Sequence, residues 1–254
     1  MMTGLGPLLR KELLEQWRTL RLPVVATVFL LVGLTSPLLA RFTPEILKSV
    51  AGGQFTITLP TPSAADAVDQ LGKNLGQFGS LIAVLLAMGA VATEKERGTA
   101  ALLATKPVSR AAFLAAKLVA IGITLAISTA IATAGAWFYT LVLFEPLPVA
   151  GVAAAAFLQW LTLLAWAAIT FVGSTLTRSS LAAAGLGIVA FLVVGLLSIV
   201  PALAPYLPTG LGGPGRALSL GIAGPDPIGP ALATIVLIGA AATVSWLSFR
   251  RQEL

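Results

Sequence analysis

Long apolar segments alternate with short polar or charged connections along this chain. An α-helix needs about 20 consecutive apolar residues to cross a bilayer, and it satisfies its own backbone hydrogen bonds there. The pattern therefore predicts an all-α membrane protein with six transmembrane helices in a single domain over residues 1–254. The predicted spans are residues 22–40, 75–93, 113–144, 149–176, 181–200 and 228–249.

Residues 5–21 precede the first span and have an amphipathic helical pattern. The apolar face consists of Leu9, Leu13, Trp17 and Leu20, which recur at helical spacing. The charged residues Lys11, Glu12, Glu15 and Arg18 lie mostly on the opposite side. This pattern is typical of a helix that lies in the membrane interface. The alternative is a plain extension of the first span.

The first connection, residues 41–74, is polar, and Pro37 is expected to kink or end the span before it. Within this connection, residues 54–59 alternate weakly and could form a short strand. Ser63 is a suitable N-cap for a short helix over residues 64–77.

The last connection, residues 201–230, is rich in proline and glycine. Residues 216–222 within it are apolar enough for a short re-entrant or surface helix. Nothing in the first connection, residues 41–74, has the pattern of a ligand-binding motif.

Composition supports the membrane class and excludes several kinds of chemistry. Only 10% of the residues are charged and the mean hydropathy is +0.95, whereas soluble domains carry about 25% charged residues. The chain has no histidine and no cysteine, which excludes disulfides and histidine-based acid–base chemistry. It also lacks the G-x-x-x-x-G-K-[ST] loop that binds ATP phosphates. Any energy for work must therefore come from another polypeptide.

Basic residues are distributed unequally between the two sides of the predicted bundle. The net charge is +6, and twelve Lys and Arg residues fall on the side of both termini, against four on the other. The positive-inside rule then places both termini in the cytoplasm. The positive charge is thus explained by membrane topology, and no nucleic-acid partner is expected.

The densest charged segment, residues 94–117, lies between the second and third spans and is called the charged island. We expect the second span to continue as a helix past Thr93. Pro107 disfavours helical geometry at Lys106, so a sharp break is expected there. Ser109 would then cap a helix that runs directly into the third span. The alternative is a solvated hairpin whose charges only fix the topology.

The island resembles a pattern of type-2 ABC transporter permeases: an acidic residue, Gly-Thr, a leucine pair, Pro-Val-Ser-Arg and a lysine seven residues later. The matching positions are Glu94, Arg97, Gly98, Thr99, Leu102, Leu103, Lys106, Pro107, Val108, Ser109, Arg110, Leu114 and Lys117. Residues 9–13, Leu-Arg-Lys-Glu-Leu, resemble the N-terminal motif of the same family. Within it, the chain is most similar to the permease of the nitrous-oxide-reductase maturation system.

The resemblance implies a permease subunit of an ATP-driven transporter, in most members an exporter. It would have no ATP site of its own, pair with a second permease copy or paralogue in a prokaryotic plasma membrane, and dock two ATPase subunits that bind ATP and Mg²⁺. The residues implied to contact the ATPase are Glu94, Glu96, Arg97, Gly98, Thr105, Lys106, Pro107, Ser109 and Arg110. The alternative is a membrane anchor or mechanotransmission subunit that transports nothing itself.

Overall fold

The structure is a computed structural model that describes residues 4–50, 61–98 and 109–252. All of the regular structure in these residues is helical, as predicted. In chain order the α-helices are α1 (Leu5–Arg18), α2 (Arg21–Val50), α3 (Ala64–Asn74), α4 (Ser80–Met88), α5 (Ala92–Glu96), α6 (Arg110–Leu143), α7 (Val149–Leu176), α8 (Ser180–Leu197), α9 (Gly212–Leu220) and α10 (Ile228–Arg250).

The described residues include six helical segments long and apolar enough to cross a membrane, which confirms the predicted number. The segments are Arg21–Leu47, Ala64–Glu96, Arg110–Leu143, Val149–Leu176, Ser180–Leu197 and Ile228–Arg250. Each segment consists largely of apolar residues, whose exposure to water is unfavourable in free energy. Burial in lipid or against another helix therefore stabilises the bundle.

The first predicted span is shorter than the helix that the structure contains. Helix α2 continues to Val50 with Pro37 and Pro44 inside it, so Pro37 does not end the helix. Prolines are tolerated in such helices where hydroxyl side chains and neighbouring helices stabilise the disturbed backbone. Pro37 removes the helical donor of the Gly33 carbonyl, and the adjacent Ser36 hydroxyl donates to the neighbouring Val32 carbonyl at 2.6 Å. The close packing of α2 on α6 is visible at Gly33, where an added Cβ would overlap the Ala132 carbonyl.

The second apolar segment begins earlier than predicted and is not a uniform α-helix. Ser63 precedes α3 as expected, and its backbone N–H donates to the Asp66 carboxylate at 2.8 Å. A π-helical turn, Leu75–Gly79, joins α3 to α4. Next to this turn, the Asn74 amide donates to the Ser36 hydroxyl at 2.9 Å and connects α3 to α2. The weak strand predicted at residues 54–59 lies outside the described residues.

Helices α6 and α7 form the centre of the bundle. The largest fully buried side chains include Trp166 and Phe171 of α7, Leu125 of α6 and Phe29 of α2. They belong to one continuous apolar cluster, so the elements around α6 and α7 share a single core. By contrast, α8 exposes Leu181, Leu192 and other large apolar side chains, as expected for a surface that contacts lipid.

The connection between α8 and α10 folds back onto the bundle. Two short 3₁₀ turns, Ala204–Tyr206 and Pro208–Leu211, lead into α9. Helix α9 confirms the short helix that was predicted within this connection. It begins at Gly212, four residues earlier than expected. Helix α9 packs so closely on α7 that a Cβ at Gly151 would overlap the Leu218 carbonyl.

Candidate functional site

The charged island and α1 meet at the end of the bundle that carries both chain termini. Helix α1, helix α5, the beginning of α6 and the ends of α7 and α10 are connected there by polar contacts. This surface is called the charged end. Its geometry decides which parts of the island are anchored and which are available to a partner.

The charge cluster, defined as Lys11, Glu12, Glu94 and Lys117, joins three elements. The Lys117 ammonium lies 2.7 Å from the Glu94 carboxylate and 3.2 Å from the Glu12 carboxylate. Its side chain is only 6% exposed, and that of Glu12 is 11% exposed. Charges with so little water around them need opposite charges nearby. The two lysines and two glutamates meet that need and fasten α1 and α5 to α6.

Lys11 forms the exposed edge of this cluster. Its ammonium lies 3.2 Å from Glu12, 3.3 Å from Glu15 and 4.0 Å from Glu94. Partial burial opposes the charge on Lys11, but the three carboxylates outweigh it and raise the pKa of Lys11 above its usual value. A lysine whose pKa is raised in the folded state contributes stability that is fully present below its unfolded-state pKa. That contribution is lost as the pH rises through the folded-state pKa. The cluster therefore keeps this cation throughout the physiological pH range.

Polar residues also face α6 from the buried side of α1. Glu12 and Gln16 are both buried, and Gln16 accepts a hydrogen bond from the Thr124 hydroxyl. The sequence placed Glu12 opposite the apolar face of α1, but it did not show that this polar side packs against α6. The apolar side is open at Trp17 and Leu20, which are each 61% exposed, whereas Leu9 and Leu13 are half-buried.

The second apolar segment is helical past Thr93, as expected, because α5 extends to Glu96, but an unpredicted turn interrupts it first. Helix α4 ends at Met88, and α5 begins at Ala92 after a turn. The break is stabilised by the Ser174 hydroxyl of α7, which accepts hydrogen bonds from the backbone N–H groups of Val91 and Ala92, at 3.0 Å each. One hydroxyl thus satisfies two N–H groups that a continuous helix would have paired internally.

Lys95 anchors α5 to two further helices. Its ammonium donates to the Thr175 carbonyl at the end of α7 and to the Gln252 side chain at 2.5 Å. The Gln252 amide in turn donates to the Thr175 carbonyl at 3.0 Å. A cation at the C-terminal end of a helix also interacts favourably with its dipole. The contacts hold α5 against α7 and the residues after α10.

Ser109 and Arg110 fix the beginning of α6. The Ser109 hydroxyl accepts the Ala112 amide at 3.1 Å, so the predicted N-cap and the helix that runs into the third span are confirmed. The Arg110 guanidinium donates to the carbonyls of Phe249, Arg250 and Gln252 at 3.0 to 3.2 Å. Arg110 therefore caps the end of α10.

The structure separates the residues that were predicted to contact an ATPase into three groups. Glu96, Arg97 and Gly98 are exposed at the end of α5. Glu94, Ser109 and Arg110 make the contacts within the chain described above. The remaining candidates, Thr105, Lys106 and Pro107, lie outside the described residues, as does the break expected at Lys106.

Gly98 has a backbone requirement of its own. Its φ angle is +69°, in the left-handed region that costs other residues about 1 kcal/mol or more. This conformation ends the helical turn after α5, so a glycine at this position has a local structural reason. The exposed end of the island is thus shaped by the backbone as well as by charge.

Several residues of the charged end were absent from the predicted site. Glu12, Lys117, Lys95, Ser174 and Gln252 make most of its contacts. One signal in the sequence could have indicated the charge cluster. Lys117 is a lone cation in the first turns of an apolar segment, and such a charge requires a partner. Nothing in the sequence pairs Ser174 with α5, since that contact joins residues 83 positions apart.

Comparison with known proteins identifies the family. The profile of the ABC-2 family transporter protein matches residues 7–211, most of the chain. The chain belongs to the ABC-2 transporter family. It is also 30% identical over 206 residues to the uncharacterized transmembrane protein YxlG of Bacillus subtilis (strain 168), with 79% of each chain covered. The matched region of the ABC-2 profile includes α1, the island and α6 to α8.

Membership of the ABC-2 family places the chain among multi-pass membrane components of ABC transporters. Such components have no ATP site of their own and normally work with ABC ATPases. The ABC-2 match agrees with the family resemblance of the island motif. The narrower likeness to the nitrous-oxide-reductase maturation permease has no support from the comparisons.

Proposed function

We propose that this ABC-2 chain is the permease half of an ATP-driven exporter and transmits movement from a separate ATPase to its own spans. The observation that carries the proposal is the anchoring of α5 to α1, α6, α7 and the end of α10. An element fastened to so many helices cannot move without them. In the complete transporter, two permease halves, identical or related, would pair above two ATPase subunits that bind ATP and Mg²⁺.

The surface for the ATPase would be the exposed part of the island. Glu96, Arg97 and Gly98 present one negative and one positive side chain next to a glycine turn. Such a mixed polar surface suits a contact with a soluble protein better than a contact with lipid. Thr105, Lys106 and Pro107 would belong to the same surface, as the family resemblance implies. Glu94, Ser109 and Arg110 would act behind it by holding the neighbouring helices.

The charged end would face the cytoplasm of a prokaryotic cell. The support is the excess of Lys and Arg on that side, twelve against four. Helix α1 would lie in the membrane interface with Trp17 and Leu20 towards lipid, since both are exposed while Glu12 and Gln16 are buried against α6. The surface proposed for the ATPase would then face the cytoplasm, where cells supply ATP.

A charge reversal at Arg97 tests the docking surface. With a co-encoded ABC ATPase, Arg97→Glu is expected to reduce co-purification and permease-stimulated ATP hydrolysis about tenfold, because loss of one interfacial charge contact costs about 1.4 kcal/mol or more. Arg41→Glu is the matched control, since Arg41 is also exposed but lies on the opposite side of the bundle.

Three outcomes separate the possibilities. Loss with Arg97→Glu and not with Arg41→Glu supports the docking surface. Equal ATPase binding and stimulation in both variants would contradict it. ATPase binding without any substrate movement in vesicles would favour the alternative, in which the chain transmits mechanical work to an assembly partner.

A further inference from the structure

A cavity of about 300 Å³ lies between α3, α6, α7 and α9 and is called the α3–α9 cavity. It is far along α6 and α7 from the charged end, since it is lined by Thr133 and Thr140 of α6 and by Ala155 of α7. Most of the lining is apolar. This volume is at the lower end of the range for small-molecule sites, so it fits one acyl chain better than two.

One polar atom of a residue in the cavity wall lacks a partner. The Gln159 side-chain amide nitrogen is buried and makes no hydrogen bond within the described residues, and Gln159 lines the cavity. An unpaired buried donor destabilises the fold. A ligand that brought an acceptor oxygen to this point would remove that destabilisation.

Charged residues occupy another part of the lining. The Arg216 guanidinium of α9 lies 2.5 Å from the Asp69 carboxylate of α3, and the exposed Lys73 lines the same cavity. Arg216 and Asp69 compensate each other, so Lys73 gives this edge a net positive charge. An anionic group is therefore favoured there.

The backbone beside Arg216 packs on α7 about one helical turn from Gln159. A Cβ added to Gly215, the neighbour of Arg216, would lie 3.9 Å from Ala155 of α7. Gln159 follows Ala155 by four residues, which is about 6 Å along the helix. A ligand with its anionic group at Arg216 and Lys73 would thus extend along α7 towards Gln159.

A second apolar hollow of about 530 Å³ adjoins the first. It shares Thr133, Trp137, Val152 and Ala156 with the α3–α9 cavity. Its other lining residues include Phe157, which is 52% exposed on the lipid side. An acyl chain could therefore reach the α3–α9 cavity from the bilayer without crossing the charged end.

We propose that the α3–α9 cavity binds a lysophospholipid with an anionic head. The phosphate would lie beside Lys73 and Arg216, the ester carbonyl would accept a hydrogen bond from Gln159, and the single acyl chain would fill the apolar part. The binding belongs to one chain and requires neither ATP nor an ATPase. It therefore goes beyond the transport role, and either can fail without the other.

The test uses the full chain in nanodiscs and a lysophosphatidylglycerol probe with a diazirine in its acyl chain. After photolysis, mass spectrometry is expected to locate adducts on α7 and α9. Lys73→Gln and Gln159→Leu should each weaken probe binding about tenfold, because each removes one polar contact. Arg41→Gln and Gln77→Leu make the same changes at exposed positions outside the cavity and should bind normally.

A second pair of variants removes the space rather than the polar groups. Ala155→Phe fills the α3–α9 cavity and should abolish the adducts, whereas Ala150→Phe, at an exposed position of α7 that lines neither the cavity nor the second hollow, should not. An unchanged melting temperature shows that each variant is folded. Labelling spread over lipid-facing helices, or equal competition by zwitterionic lysophosphatidylcholine or by a fatty acid, would overturn the proposal.

Discussion

At the scale of single residues, Lys117 is the central cation of the charge cluster. It is the most buried member and lies within 3.2 Å of both Glu12 and Glu94. A buried ion pair contributes little net stability compared with an apolar pair, but removal of one partner leaves an uncompensated charge. The consequence of losing Lys117 should therefore be much larger than that of losing an exposed lysine.

Lys117→Met is expected to lower the free energy of unfolding by about 3 kcal/mol, since Glu94 loses its nearest cation and Glu12 loses one of two equally near cations. Thermal unfolding in detergent measures the effect. Lys73→Met is the control because Lys73 is exposed. The additional change Glu12→Gln should recover part of the loss in the Lys117→Met background. Equal stability of Lys117→Met and Lys73→Met would show that the cluster does not hold the helices together.

At the scale of elements, the short helix α5 depends on α7 for its position. Ser174 accepts the Val91 and Ala92 amides, and Thr175 provides the carbonyl for Lys95. An isolated helix of this length is not stable in water. Helix α5 therefore exists because α7 holds it, and movement of one should be felt by the other.

Ser174→Ala is expected to loosen α5, because two buried amides lose their acceptor at a cost of about 1 to 3 kcal/mol. Hydrogen exchange followed by mass spectrometry should show faster exchange in residues 91–97, with little change in α8 and α10. Ser198→Ala removes a hydroxyl that donates to the Val194 carbonyl and serves as the control. Unchanged exchange in α5 after Ser174→Ala would mean that other contacts position it.

The sequence predicted elements better than contacts between them. Hydropathy gave the six spans because lipid requires long apolar helices, and Ser109 marked the start of α6 through local capping chemistry. The break before α5 was missed because its acceptor, Ser174, belongs to a distant helix. The orientation of Glu12 could not be read either, since amphipathicity identifies a polar side but not what covers it.

At the scale of the whole molecule, the bundle has two unlike ends. The charged end joins α1, α5, α6, α7 and α10 through ion pairs and hydrogen bonds. Towards the other end, α9 folds onto α7 and is tied to α3 by Arg216 and Asp69. A displacement of α5 would be carried through α6 and α7, which line the α3–α9 cavity. The arrangement provides a continuous path from the surface proposed for the ATPase to the far half of the bundle.

The most direct test of the central claim, that an ATPase engages the island from the cytoplasm, uses the lack of native cysteine. Arg97→Cys and Arg41→Cys each introduce one thiol, which is labelled with benzophenone maleimide in inside-out membrane vesicles that contain the whole transporter. Photolysis should cross-link position 97 to the ATPase subunit and leave position 41 without an ATPase adduct. Absence of the adduct at position 97, or its appearance only at position 41, would contradict the account.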